Sequence, residues 1–278
     1  MTPHPLLRPL AALTLVAAVA SANAELIGLS SSNPASLYSV SASTGAATFL
    51  TNVAGADGAS LTGLEFLRGA LYATDVTVGN SRRFGSIDLA TGTFTSINSQ
   101  NGNLNYQSLA ADEDANLLYA YALGTFGGGD LVSITPSGTI TTIGTTGESI
   151  TGLAYDNDAD VLYGVSPSQL FRINVATGAA LLVGNLGVSN SRTGLAYDDA
   201  TDTLYLNLGA GATVGNALYT VNVVTGAATL IGANGQTAGS GIDGLAYRAT
   251  PVPEPASLAV VFGGLLTVTR RRRSNRRS

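Results

Sequence analysis

One stretch, residues 150–185, reads ITGLAYDNDADVLYGVSPSQLFRINVATGAALLVGN. It holds four short segments that are apolar or alternate apolar with polar residues, namely Gly152–Tyr155, Leu162–Tyr163, Leu170–Ile173 and Ala179–Val183. Such segments are typical of short β-strands. The pair Thr177-Gly178 lies between the last two, and glycine supplies the positive φ that a tight hairpin turn needs. The stretch therefore predicts one four-stranded antiparallel sheet.

The same short sequence motifs, here called phrases, recur along the chain. The four positions of the first phrase are numbered one to four below. The first occurs five times, at spacings of 45, 44, 42 and 50 residues: Gly63-Leu64-Glu65-Phe66, Ser108-Leu109-Ala110-Ala111, Gly152-Leu153-Ala154-Tyr155, Gly194-Leu195-Ala196-Tyr197 and Gly244-Leu245-Ala246-Tyr247. Four strands in each repeat of about 45 residues indicate the blades of a β-propeller. An ordinary β-sandwich is the alternative, but it does not explain the regular period.

The number of strands predicts how the ring closes. The fifth phrase, at 244–247, has no second strand after it, whereas Leu26–Ser30 near the N-terminus resembles the second strand Leu162–Ser166. One C-terminal strand and three N-terminal strands would complete a fifth blade. We therefore expect an all-β, five-bladed propeller over residues 25–250, with 20 strands and few exposed strand edges.

Composition excludes much familiar chemistry. The chain of 278 residues has no Cys, Lys or Trp, and its one His is at position 4. Disulfides, thiol nucleophiles and metal sites built on Cys and His are thereby excluded. A Ser-His-Asp triad is excluded as well if His4 is removed with a leader.

The first 24 residues have the pattern of a secretory signal peptide. Arg8 precedes an apolar run from Leu10 to Ala20, and the small residues Ala22 and Ala24 fit a signal-peptidase site. The run is too short to span a bilayer stably. A short buried N-terminal helix is the alternative.

Residues 251–278 carry a second targeting pattern. Proline-rich Pro251–Pro255, which includes Pro253, Glu254 and Pro255, precedes an apolar stretch from Ala256 to Thr269, and a basic end follows with Arg270, Arg271, Arg272 and Arg273. Arginines after an apolar segment stop translocation and stay cytoplasmic. Fourteen helical residues rise only about 21 Å, which is short for a hydrocarbon core of about 30 Å, so a transient anchor is favoured.

This end resembles the PEP-CTERM sorting signal of Gram-negative bacteria that make exopolysaccharide. The resemblance covers about the last 26 residues and rests on the motif, the apolar segment and the arginine cluster in that order. It implies recognition by an exosortase, cleavage near the motif and delivery to the cell surface or extracellular matrix. A plain tail anchor without processing is the alternative. The body resembles functionally unassigned bacterial repeat propellers, which implies no activity.

Charge bears on the partners. Residues 25–250 hold 17 acidic residues against six arginines, a net charge of −11. Nucleic acid and anionic membrane surfaces are therefore not expected as partners. The expected partners are signal peptidase and exosortase during export, and afterwards exopolysaccharide or surface proteins.

Loop length predicts which face binds a ligand. In an up-and-down blade the connections between strands two and three, and those between blades, share one face, and here they are long and irregular. Variable loops favour that face for binding. Its candidate residues are Thr62, Glu65, Arg82, Arg83, Tyr106, Gln107, Tyr121, Phe126, Thr151, Arg192, Thr193 and Asp243. A solvated rim without a ligand is the alternative for the same residues.

The opposite face carries acidic turns. Alternate carboxylates at Asp156, Asp158 and Asp160 are suited to Ca²⁺. The glycine and the distal glutamate of a calcium loop are absent, however, and such side chains also cap hairpin turns. No other cofactor is expected.

Two functions remain open from the sequence. The first is a non-enzymatic propeller that binds or organises exopolysaccharide or another surface component. The second is a carboxylate-based glycoside hydrolase, which needs two acids about 5 to 9.5 Å apart, with Asp243 and Glu65 as the pair.

Overall fold

The computed structural model describes residues 25–30, 34–56, 60–76, 81–101, 105–123, 129–189, 192–209, 216–236 and 241–248. Within these ranges every regular element is a strand: β1 (Glu25–Ser30), β2 (Ser36–Val40), β3 (Ala47–Asn52), β4 (Ser60–Leu67), β5 (Ala70–Val76), β6 (Ser81–Asp88), β7 (Thr93–Asn101), β8 (Asn105–Asp112), β9 (Leu117–Leu123), β10 (Gly129–Ile134), β11 (Ile140–Thr145), β12 (Gly152–Asp156), β13 (Val161–Val165), β14 (Gln169–Ile173), β15 (Ala180–Asn185), β16 (Thr193–Asp198), β17 (Thr203–Leu208), β18 (Ala217–Val221), β19 (Ala228–Ala233) and β20 (Ile242–Arg248).

The strands form five four-stranded antiparallel sheets. Blades 1 to 4 are β4–β7, β8–β11, β12–β15 and β16–β19, and blade 5 has the order β20-β1-β2-β3. The inner strands β4, β8, β12, β16 and β20 contact one another in a closed ring. The fold is a five-bladed β-propeller, which confirms the prediction from the repeats.

Blade 5 closes the ring as predicted. β20 pairs with β1 in an antiparallel register in which Glu25 lies opposite Arg248 and Ile27 opposite Ala246. An ion pair between Arg248 Nη2 and Glu25 Oε2, at 2.6 Å, connects the two ends of this pairing. Closure therefore combines backbone pairing with a charged contact across 223 residues of sequence.

The inner strands are buried on both sheet faces. All five residues of β12 are buried, whereas the outer strand β15 of the same blade alternates between half-buried and exposed residues. An inner strand lies between two neighbouring blades, so both of its faces exclude water. This explains why its phrase is apolar throughout and does not alternate.

Neighbouring blades pack small residues against large ones. The third phrase position is alanine in four blades, and each alanine packs towards the next blade, whose second and fourth phrase positions are large. Ala110 lies in one core cluster with Tyr155, and Ala154 lies in another with Tyr197. Ala246 joins Phe66 in a third cluster across the closing interface.

The compact propeller unit comprises residues 24–249. The signal-peptide and sorting predictions, including Ala22, Ala24, Pro253–Pro255 and Arg270–Arg273, lie outside the described residues. In the described part there is no helix with the length and apolar character needed to cross a membrane.

Candidate functional site

The inner strands surround a central channel with two different ends. Their N-terminal halves reach the face of the long connections, here called the long-loop face. Their C-terminal ends lead into the turns 113–116, 157–160 and 199–202, so the opposite side is called the acidic-turn face. Each end of the channel has its own cavity.

The long-loop end is narrow. Its cavity has a volume of about 10 Å³, and Thr62, Gln107, Thr193 and Asp243 are among its lining residues. Thr151 belongs to the same group because its Oγ1 lies 2.7 Å from Thr193 Oγ1. A volume of this size holds about one water molecule. The polar ring expected from the sequence therefore surrounds a nearly closed channel.

Three of the charged residues predicted for the long-loop face, Arg83, Arg192 and Asp243, form ion pairs within the protein. Arg83 donates from Nε to Asp75 Oδ2 at 2.9 Å and lies over the Phe94 ring, 5.4 Å from its centroid. Arg192 Nη1 lies 3.6 Å from Asp243 Oδ2. These two arginines neutralise carboxylates of their own face.

Two aromatic residues predicted for that face are core residues instead. Tyr106 and Tyr121 are 3% and 0% exposed. Tyr121 donates its hydroxyl to the backbone oxygen of Glu148, at 3.1 Å. The assignment of both rings to a ligand surface is wrong, because packing between strands encloses them. Phe126 and the side chain of Arg82 lie outside the described part; the backbone of Arg82 pairs with Val76.

The larger cavity opens on the acidic-turn face. Its volume is about 120 Å³, and its lining combines carboxylates, aromatic rings and an arginine: Glu65, Phe66, Gly69, Ala111, Glu113, Tyr155, Asn157, Tyr197, Asp199, Tyr247 and Arg248. All five inner strands, and the turns that follow four of them, contribute to this wall. The cavity therefore lies on the propeller axis, on the face opposite to the one that loop length predicts.

Glu65 lies in this cavity and not on the long-loop face, which corrects the predicted placement. It takes the third phrase position of β4, where the other four inner strands have alanine. That position faces the next blade, whose fourth phrase position is Ala111 where three other blades have tyrosine. Between blades 1 and 2 the large side chain is therefore at the third position of one strand and the small one at the fourth position of the next. Glu65 extends into the space that an aromatic ring at the fourth position occupies in the other interfaces.

The Glu65 carboxyl group is buried and has few partners. The residue is 7% exposed, and Oε1 accepts the Phe66 N–H at 2.8 Å. Burial raises the pKa of Glu65 well above 4.5, the Phe66 hydrogen bond opposes this, and the nearby charges of Glu113 and Asp199 raise the pKa further. Glu65 is therefore much harder to ionise than an ordinary glutamate.

The tyrosines of the cavity wall lie close to carboxylates of the preceding blade. Burial raises the pKa of Tyr197, and a hydrogen bond to Asp156 adds to the increase. Tyr155 and Asp112 form an equivalent pair, as do Tyr247 and Asp198. Where the fourth phrase position is Phe66, which has no hydroxyl, the preceding blade has Arg248 in place of the aspartate, 6.0 Å above the ring.

The turns around the cavity are joined by side chains that accept backbone N–H groups of the preceding blade. Arg68 N donates to both Glu113 carboxylate oxygens, at 2.9 and 3.0 Å. Glu113 N donates to Asn157 Oδ1, and Asn157 N to Asp199 Oδ1, each at 2.8 Å. These contacts fix the rim of the cavity and connect blades 1 to 4.

The acidic turns also use their carboxylates internally. Asp156 Oδ1 accepts the Ala159 N–H at 2.8 Å, which is the capping role expected of such a turn. Asp158 and Asp160 follow in the same turn, and Asp160 has a φ of 55°. Among the described residues no three acidic or histidine side chains converge so as to hold a metal ion.

The carboxylate pair considered for glycoside hydrolysis is not brought together. Asp243 lines the narrow long-loop cavity, and Glu65 lines the cavity on the acidic-turn face. Retaining and inverting mechanisms both need two acids across one bond. These two residues therefore do not form such a pair.

No protein-family model matches the chain, and no curated protein matches it. Solved structures with a similar fold include a chain of the nidogen/laminin complex, which is 14% identical with a TM-score of 0.54 and covers 76% of this chain and 79% of that one. A gluconolactonase from Xanthomonas campestris, XC5397, is 15% identical with a TM-score of 0.46, and the match covers 66% of each chain.

A structural genomics protein of unknown function from Bacteroides thetaiotaomicron VPI-5482 is 18% identical with a TM-score of 0.46 over 61% of this chain and 42% of that one. Identities this low show shared architecture alone, and the two scores below 0.5 add nothing to it. The comparisons place the chain among β-propeller structures.

Proposed function

We propose that this chain is a non-enzymatic propeller that is exported, sorted by an exosortase and delivered to the cell surface or extracellular matrix of a Gram-negative bacterium. There it binds or organises exopolysaccharide or another surface component. Signal peptidase and exosortase are its partners during export, when the precursor is held in the inner membrane by its C-terminal segment.

The observation that carries this proposal is the position of the ring closure. β1 begins at Glu25, directly after the proposed signal-peptidase site at Ala24. β20 ends at Arg248, shortly before Pro251 and the motif that follows it. The propeller is complete between the two proposed cleavage sites, so removal of both ends would leave every blade intact.

The amino-acid composition and the net charge of the propeller support a binding role. The body has no Cys, His or Lys, so its only ionisable catalytic groups are carboxylates, tyrosines and arginines. Its acidic surface is suited to an uncharged or cationic partner and not to an anionic one. A closed ring also suits a protein that must be stable outside the cell without disulfides.

The experiment is an intact-mass measurement on the native protein recovered from the outer surface and culture medium of the producing cell. We expect a species that has lost residues 1–24 and the segment after the motif. A Glu254→Gln variant tests the motif, and we expect it to accumulate in the inner membrane with its C-terminus retained. Asp114→Asn, an exposed change of the same charge in the propeller, is the matched control and should be processed normally.

Binding is tested with the processed protein on isolated matrix polysaccharide and on surface-protein fractions. Retention on either supports the proposal. A mature surface species that still contains residues 251–278 would overturn the sorting proposal, and failure to retain any surface component would overturn the binding role.

A further inference from the structure

The acidic-turn cavity contains a carboxyl group that lacks a counter-ion. Glu65 is 93% buried. Among the described residues its carboxyl group accepts one hydrogen bond, from the Phe66 N–H to Oε1. Oε2 has no hydrogen-bond partner there, and no described arginine forms an ion pair with this side chain. A buried carboxylate is costly unless a cation or several donors stabilise it. Glu65 therefore presents to the cavity a carboxyl oxygen that no described protein group hydrogen-bonds.

The one cation among the described residues of the cavity wall, Arg248, forms its ion pair with a carboxylate other than Glu65, and its Nε is buried without a hydrogen-bond partner. Arg248 pairs with Glu25 at 2.6 Å and lies over the Phe66 ring. The other charged groups of the wall, Glu113 and Asp199, are acidic and accept backbone N–H groups from neighbouring turns. No described arginine pairs with Glu65, so a cationic ligand can supply positive charge there.

The surrounding face favours a cation. The three turns and the strand ends that lead into them hold nine carboxylates: Asp112, Glu113, Asp114, Asp156, Asp158, Asp160, Asp198, Asp199 and Asp202. A cleft surrounded by charges of one sign concentrates ions of the opposite sign. An anionic ligand is disfavoured for the same reason.

The size and aromatic wall of the cavity limit the ligand. About 120 Å³ is well below the 300 Å³ or so at which drug-sized pockets begin, so a small group enters and not a large molecule. Tyr155, Tyr197 and Tyr247 supply aromatic rings, which attract cations and pack against sugar rings.

We propose that the acidic-turn cavity binds the protonated amine of an amino sugar, with the Glu65 carboxylate as its counter-ion. The choice of a sugar as the carrier of the amine rests on the function proposed above, whereas the requirement for a cation rests on the cavity itself. The site lies at the end of the channel opposite to the long-loop face.

Three sugars that share one pyranose ring test the proposal by calorimetric titration of the processed protein at about pH 6, where an aliphatic amine is charged. Glucosamine carries the ammonium group, N-acetylglucosamine carries a neutral amide, and glucose carries neither. We expect glucosamine to bind at least about 10-fold more tightly than the other two, because only it forms a charge-assisted contact. This comparison uses the unmodified protein, so it does not depend on how a variant folds.

Two variants then locate the site. Glu65→Gln keeps the shape of the side chain and removes its charge, and we expect the preference for glucosamine to disappear. Asp114→Asn removes the same charge from an exposed position on the same face, outside the cavity, and should keep the preference. Loss of the preference in both variants would mean that the general field of the face selects the ligand, which would overturn the assignment to Glu65.

Binding should also release a proton. Burial, together with Glu113 and Asp199, raises the pKa of Glu65, and a bound ammonium group would lower it again, so binding shifts Glu65 towards its ionised form and releases protons. Titrations in two buffers with different ionisation enthalpies measure this release, and Glu65→Gln should abolish it.

Equal affinity for the three sugars, or no binding of any, would overturn this inference. If the processed protein still held matrix polysaccharide in that case, the proposed function would stand without this site. If it held none, both proposals would fail.

Discussion

At the residue scale, the exchange between Glu65 and Ala111 is the one place where the described inner strands depart from their own packing rule. Elsewhere an alanine of one inner strand faces large residues of the next, as Ala154 faces Tyr197. An aromatic ring at position 111 would fill the space that Glu65 now enters. The departure places a titratable group at the centre of a ring that otherwise buries apolar residues.

The burial of Glu65 predicts a pH-dependent cost to stability. Because its pKa is raised in the folded state, the folded protein holds this proton to higher pH than the unfolded chain does. Stability is therefore lost as pH rises above about 4.5 and through the raised pKa. Glu65→Gln removes the ionisation, so the variant should gain stability over the wild type as pH rises, by about 1.4 kcal/mol for each unit of the shift.

Urea unfolding of both proteins across a pH series measures this difference in the free energy of unfolding. In acid the two should be nearly equal, and the gap should open above about pH 4.5. Asp114→Asn, at an exposed position, should show no such widening. A difference between Glu65→Gln and wild type that stayed constant with pH would contradict the burial argument.

The sequence indicates where the Glu65 side chain lies only when two neighbouring repeats are compared. Reading the β4 phrase alone shows that Glu65 replaces an alanine, which marks it as unusual without indicating its face. The missing aromatic residue at Ala111, one repeat later, identifies the space available to it. Tyr106 and Tyr121 were misplaced for a related reason: loop length indicates where a chain is variable, and it does not indicate which side chains the core encloses.

At the element scale, three of the five pairs of neighbouring blades approach closely at their outer edges through contacts between glycines. The hairpin glycine Gly226 has a φ of 80°, and a Cβ added to it would lie 2.6 Å from the backbone carbon of Gly184, at the bulge of the preceding outer strand. A backbone bond from Ala228 N to Leu186 O, at 2.9 Å, completes the contact. Gly178 and Gly144 form the same contact between blades 2 and 3, as do Gly45 and Gly232 between blades 4 and 5.

Because of this contact, we expect substitution of Gly226 to lower the free energy of unfolding by more than its positive φ alone would. Gly187 has a φ of 75° and open space where a Cβ would lie, so Gly187→Ala measures the angular cost alone, about 1 kcal/mol. Gly226→Ala adds a clash with the neighbouring blade and should cost about 1–3 kcal/mol more. Equal losses in the free energy of unfolding for the two variants would show that close approach between blades contributes nothing.

Strand positions were predictable because every repeat carries the same turn chemistry. The hairpin glycine marks the border between third and fourth strands, so the expected segment at 179–183 corresponds to β15 at Ala180–Asn185. The bulge glycines could not be interpreted in the same way. Their requirement comes from a neighbouring blade about 40 residues away, and it appears only when the ring is assembled.

At the scale of the whole molecule, the ring closes through strand pairing between the two ends of the domain. β20 supplies the inner strand of blade 5, and β1 to β3 supply the rest. Glu25 and Arg248 lie opposite each other at the end of the antiparallel ladder in blade 5. Leu67 and Ala70 lie opposite each other in the same way in blade 1, where a two-residue turn joins them. Those two residues, Arg68 and Gly69, both have positive φ, which is the geometry of a type I′ turn.

Blade 5 should therefore accept a covalent hairpin where the other blades have one. We expect a circular permutant to keep the fold if Asn-Gly joins Arg248 to Glu25 and new ends are opened after exposed Gly187. Its unfolding temperature should lie within about 5 °C of the original, because the change exchanges one connection for another of similar length. Circular dichroism and thermal unfolding of both proteins test this, with removal of residues 241–248 as the contrast.

That deletion leaves β1 and the flanking inner strands exposed, so it should abolish cooperative unfolding. A deletion that unfolds as the intact domain does would mean that four blades suffice and that closure by β20 does not stabilise the ring. A permutant that fails to fold would mean that the free ends at Glu25 and Arg248 are themselves required, since every strand and pairing would still be present.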